Sequence, residues 1–165
     1  ILGKTNTNTT FDAMEYHVLA YLDDIKGRIA DVRACEERIA EIRHQMGVRG
    51  TTYSGMPGPP NAYGDAIPDG LAMIEEQKSR YDDELAIHGA EIDHAWNLCR
   101  PHASENRHLL WLKYVQGMSW AKVARSIHVS NAAVYRMRTA GIEELYAAMP
   151  EEWRRDDAHK AVLRS

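Results

Sequence analysis

Residues 119–145, SWAKVARSIHVSNAAVYRMRTAGIEEL, constrain the fold more than any other stretch of the chain. Trp120, Val123, Ala124 and Ile127 recur at the spacing that places them on one side of a short helix. Ser119 precedes them with a hydroxyl able to accept an orphan backbone N–H. Ala124 is small where two helix axes must cross closely, and His128 falls where the chain must turn sharply. Glycine is easier at such a turn, yet His tolerates the left-handed region better than most residues. Ser130 offers a second N-cap. Rotating roughly 100° per residue, Val134, Met137, Gly141 and Leu145 share one side of the following helix, while Asn131, Ala132, Tyr135, Arg136 and Thr139 fall opposite. The pattern predicts a helix-turn-helix whose second helix keeps one side uncommitted.

Charge gives that side a direction. No Asp or Glu occurs from Asn106 through Ile142, whereas Arg107, Lys113, Lys122, Arg125, Arg136 and Arg138 all fall there, in a chain whose net charge is −4. A local positive field in an acidic chain attracts phosphates and makes double-stranded DNA the expected partner. Asn131 and Arg136 can read adenine or guanine edges with two hydrogen bonds. Ala132 or the Thr139 methyl can meet a thymine methyl, and Tyr135 can reach base or phosphate. Lys113, Ser119, Lys122, Arg125, Ser130 and Arg138 are the expected phosphate contacts. The competing reading, a plain helical hairpin whose polar side meets water, leaves the acid-free run unexplained.

With these residues in view, SWAKVARSIHVSNAAVYRMRTAGIEEL resembles region four of bacterial sigma factors and the phage and prophage regulators that borrow it, the ArpU-like and RinA-like proteins. Upstream, ENRHLLWLKYVQGMSW is similar to the helix preceding the motif in that family, and YSGMPGPP resembles a stretch such phage proteins carry between two helices. The likeness runs from about Phe11 to about Met149. It implies a transcriptional regulator that binds DNA near a promoter, with RNA polymerase as a further candidate partner. Nothing resembles the other sigma-factor regions, so a complete sigma factor is not implied. Gly141 stands where sigma-like sequences usually have Ala, a change expected to cost roughly 1 kcal/mol of helix propensity and to loosen the end of the recognition helix.

The remainder is expected to be helical as well. Phe11, Met14, Val18, Leu22, Ile25, Ile29, Val32, Ile39, Ile42 and Met46 recur every three or four residues in a helix that Thr10 could cap. Leu71, Ile74, Tyr81, Leu85, Ile92, Ala95 and Cys99 repeat the pattern, with Lys78 and His88 as polar interruptions. The fold class expected is therefore all-α: an N-terminal antiparallel, coiled-coil-like hairpin over 11–100, a helix-turn-helix domain over 101–149 and a tail over 150–165. Residues 47–70, dense in Gly and Pro, are expected to form a loop that continues neither helix, and Pro101 to end the second arm helix. Trp153 is a candidate to dock the tail. Acids outnumber bases 17 to 9 between Phe11 and Arg100, so DNA should repel the arm. Its narrow core makes a homodimer through these helices the expected use, with DNA half-sites about one helical turn, or a multiple of it, apart.

Catalysis is not expected, and neither cofactor nor metal is implied by linear spacing. The chain has 8 His, but His88 and His94 lie six apart, on different helix sides, and there is no His-Glu-x-x-His, Cys-x-x-Cys, phosphate loop or Gly-x-Ser-x-Gly. Cys35 and Cys99 should lie far apart in the hairpin, and that, with no secretory or membrane-length apolar run, predicts a cytoplasmic protein. Two rival non-enzymatic readings are a small-terminase-like packaging protein, which usually carries its DNA-binding part first, and a sigma or anti-sigma adaptor whose basic surface meets an acidic protein.

Overall fold

A computed structural model of the chain describes residues 3–52 and 66–155, with side chains over 10–47 and 69–155. All regular structure among the described residues is helical: α1 (Gly3–Thr52), α2 (Ala66–Cys99), α3 (Glu105–Leu110), a π-helical continuation (Trp111–Val115), α4 (Trp120–Ser126), α5 (Asn131–Ala148) and a closing 3-10 turn (Glu151–Arg154). The two long helices exceed the sequence expectation. α1 begins seven residues before Thr10, which therefore lies inside the helix, and α1 runs through Gly47 and Gly50. Each glycine weakens a helix by about 1 kcal/mol without breaking it. α2 likewise includes Pro68, which is tolerated because a first-turn residue needs no intrahelical N–H bond. The expected loop over 47–70 is thus trimmed from both ends, and its middle, 53–65, lies outside the described residues, as do 156–165 of the tail.

Contacts divide the molecule into two compact units, one drawn from Ile1–Gly27 and Glu91–Ser165, the other from Arg28–Ala90. In the second unit, Arg28 meets His88, Glu36 meets Tyr81, and Met46 lies against Gly70. The order of contacts reverses between the two helices, so within this unit α1 and α2 run in opposite directions. Val32, Ile42 and Ile74 are its buried apolar side chains. Two members of the expected α2 stripe do not join them: Leu71 is 51% and Leu85 38% exposed. A pair of helices has one shared seam, too narrow to cover every position of a broad stripe.

The first unit holds the larger core. Val18, Tyr21, Leu22 and Ile25 of α1 are buried, together with Ala95 and Cys99 of α2, Leu109 to Leu112, and Val134, Ile142, Leu145 and Met149. α2 ends at Cys99, just before Pro101. Ser104 then opens α3 by accepting the Arg107 N–H at 3.3 Å. Four consecutive buried residues, Leu109 to Leu112, can be accommodated only by a helix with neighbours on several sides. Trp111 adds an edge-on ring contact with Trp96 at 5.2 Å, and the Gln116 N–H reaches back to the Trp111 carbonyl at 3.0 Å, the longer step of a π-helix. Trp153 docks against Tyr21 of α1, with ring centroids 5.6 Å apart.

Gly141 has a structural purpose that the sequence pattern hid. A Cβ there would stand 2.5 Å from the Asn106 carbonyl oxygen and 2.9 Å from its carbon, so the backbones of α3 and α5 meet at this position. Expected as a weak point, the glycine is what permits this close approach of α3 and α5. The same junction carries a polar clamp. Glu144 accepts from the Ser104 hydroxyl at 2.6 Å and from the Asn106 side-chain amide at 2.8 Å. Partial burial opposes the charge, yet these bonds and nearby Arg107 hold the Glu144 carboxyl below its ordinary range.

Candidate nucleic-acid interface

Local hydrogen bonding fixes where α4 ends and α5 begins. Ser119 accepts the Lys122 N–H at 3.2 Å and Ser130 the Ala133 N–H at 3.1 Å, each from an extended backbone conformation. Both serines therefore act as N-caps. Between the helices, His128 adopts φ 57, the left-handed conformation its position predicts. The Val129 N–H returns to the Ala124 carbonyl at 3.0 Å and the His128 N–H to the Arg125 carbonyl at 3.4 Å. That pair of bonds is the Schellman closure, which satisfies two terminal carbonyls and redirects the chain within three residues. Ala124 is buried beneath the turn, at 4% exposure.

The caps and the buried side of α5 decide which side chains remain outside. Val134, Gly141, Ile142 and Leu145 are buried, whereas Asn131, Ala132, Tyr135, Arg136 and Thr139 are exposed. Tyr135 is 63% exposed, a large solvent-facing area for an aromatic side chain on an otherwise packed helix. The Thr139 hydroxyl donates to the Tyr135 carbonyl at 3.2 Å, which turns its polar atom back to the helix. Lys122 and Arg125 are exposed on α4, beside the exposed capping residues Ser119 and Ser130. Lys113 is half-buried, its ammonium 5.1 Å from the centre of the Trp120 ring, where the ring face favours a cation.

Arg138 sits apart from this group. Expected among the phosphate contacts, it turns inward: Nη2 donates to Glu15 Oε1 at 2.6 Å and Nε to the Tyr114 hydroxyl at 2.9 Å. Its side chain is only 20% exposed, and the guanidinium also lies 5.9 Å from the Tyr114 ring centre. Burial works against its charge, but the bonds to Glu15 and Tyr114 outweigh that and hold the group above its ordinary range. Tyr114 in turn packs edge-on against Trp120, with centroids 6.1 Å apart. Glu15 and Tyr114 are thus positioning residues of α5 that sequence reasoning missed. The pairing spans 123 residues, and no local spacing signals it. His108, inside the acid-free run, is also engaged, with Nδ1 3.0 Å from the Cys99 carbonyl oxygen.

The surface that results combines exposed polar and aromatic side chains over about two turns of α5 with the cations of α4, and all of it lies in the acid-free segment. It can donate to base edges and phosphates, and the first exposed carboxylate along α5, Glu143, stands one turn beyond Thr139. Among the described residues, no helix is long and apolar enough to cross a membrane. Comparisons with protein-family models, with curated proteins and with solved structures find no match.

Proposed function

We propose that the chain is a sequence-specific, double-stranded DNA-binding regulator of the phage or prophage type, with a sigma-region-four-like helix-turn-helix formed by α4 and α5. In this reading α5 enters the major groove, Asn131, Ala132, Tyr135, Arg136 and Thr139 face base edges, and Lys122, Arg125, Lys113 and the capped starts at Ser119 and Ser130 meet the backbone. The observation that carries it is the exposure of Asn131, Tyr135 and Arg136 together on a helix whose opposite side is buried. The long helices form the coiled-coil-like arm, which pairs two copies and keeps its acidic surface off the DNA.

Selection of bound duplexes from a random pool, repeated with variants, tests the division of labour. Arg136→Ala should cost roughly 1 to 3 kcal/mol on the selected site and relax preference at one base pair. Lys122→Ala should weaken selected and unrelated duplexes alike. Recovery of no enriched sequence, or identical behaviour of the two variants, contradicts the reading.

A further inference from the structure

His88 interrupts the apolar seam of the second unit and is surrounded there by charged side chains from both helices. Its side chain is 16% exposed, and its Nε2 lies 3.0 Å from Glu84 Oε2, one turn earlier on α2, and 3.7 Å from Asp31 Oδ2 on α1. On the far side of the ring, Arg28 Nη1 stands 3.0 Å from Nδ1. A guanidinium can only donate, so Nδ1 accepts and the ring proton sits on Nε2, aimed at the two carboxylates. One imidazole nitrogen and two carboxylate oxygens, all within 4.8 Å of one another, therefore converge from two helices on one point.

We propose that Asp31, Glu84 and His88 form a binding site for a divalent cation of the zinc class, which clamps α1 to α2. Zinc takes nitrogen and carboxylate oxygen ligands at about 2.0 to 2.2 Å, and tetrahedral placement at those lengths sets ligand atoms about 3.4 Å apart. The observed 3.0 and 3.7 Å separations bracket that value. Three protein ligands leave a position for water. The imidazole nitrogen selects against magnesium, which prefers an all-oxygen octahedron. Linear spacing could not show the site, because only Glu84 and His88 share a helix. The unit also has reason to use a clamp: Val32, Ile42 and Ile74 are its only buried apolar side chains among the described residues, and small cores commonly rely on a metal or crosslink.

Binding at Nε2 requires its proton to leave and Nδ1 to take one up, so the ring stays neutral and Nδ1 no longer accepts from Arg28. Arg28 is accordingly a competitor of the metal, and this separates a metal site from a purely structural polar layer. The experiment uses the full chain after chelator treatment. Zinc affinity is read by competition with a chromogenic chelator, and thermal unfolding is followed with zinc or magnesium. Zinc should bind and raise the unfolding midpoint, and magnesium should do neither. Asp31→Asn, at an exposed position, and Glu84→Gln, at a partly exposed one, should each weaken zinc at least about ten-fold. Arg28→Gln should tighten it. Absence of zinc binding, equal binding by the Asp31 and Glu84 variants, or weaker binding after Arg28→Gln overturns the proposal.

Discussion

Two single residues, His128 and Gly141, show how backbone conformation can outweigh the preferences of a side chain. His128 holds φ 57 in the α4–α5 turn, where an L-residue other than glycine pays about 1 to 2 kcal/mol. His128→Gly removes that strain but frees the unfolded chain, so a net gain of about 0.5 to 1 kcal/mol is expected in urea unfolding. Gly141→Ala should do the opposite. Helix propensity favours alanine by roughly 1 kcal/mol, but a Cβ 2.5 Å from the Asn106 carbonyl oxygen would force α3 and α5 apart, an overpacking cost of about 1 to 3 kcal/mol. The backbone contact puts the cost at the upper end, and a lowered unfolding midpoint is the predicted outcome. The turn at His128 was legible from local spacing. The need for glycine at 141 was not, because it depends on a segment 35 residues upstream. Burial similarly separates the two cysteines. It pushes the Cys99 thiol up to about 12, so a thiol reagent near pH 7.5 should label half-buried Cys35 first and reach Cys99 only on unfolding.

At the scale of elements, α5 is held by two charged contacts outside its own sequence neighbourhood. The bonds of Arg138 to Glu15 and Tyr114 tie it to α1 and to the π-helical segment, and Glu144 ties it to the start of α3. Arg138→Met should cost stability, about 1 to 2 kcal/mol given partial solvent screening, and leave the salt dependence of DNA binding unchanged. Lys122→Ala should leave stability unchanged and alter that salt dependence. The Glu144 carboxyl is depressed in the folded state, so its contribution is fully present above the unfolded value of about 4.3 and disappears as pH falls through the lower folded value. Glu144→Gln should therefore flatten part of the stability loss on acidification, measured by urea unfolding at several pH values. Helix content and the apolar stripes were readable from periodicity. The lengths of α1 and α2 were not, since Gly47, Gly50 and Pro68 have breaker character but fall where a helix end or first turn absorbs it.

For the whole molecule, the net charge of −4 conceals a separation of sign. Acidic residues crowd the long helices, whereas the exposed side chains of α4 and of α5 as far as Thr139 include none, the first exposed acid of α5 being Glu143. This separation was visible in the linear sequence because acid-free runs survive as surfaces when their cations are exposed, as Lys122, Arg125 and Arg136 are. It misled for Arg138, whose charge is spent inside the protein. The central claim is that this surface engages the phosphates and bases of duplex DNA, and affinity for a selected duplex across a salt series tests it most directly. With Lys113, Lys122 and Arg125 on the backbone, log affinity should fall against log salt with a slope of about −2 to −3 per protomer, and Lys122→Ala should reduce the slope by about one. A slope near zero, or one that Lys122→Ala leaves untouched, would contradict it.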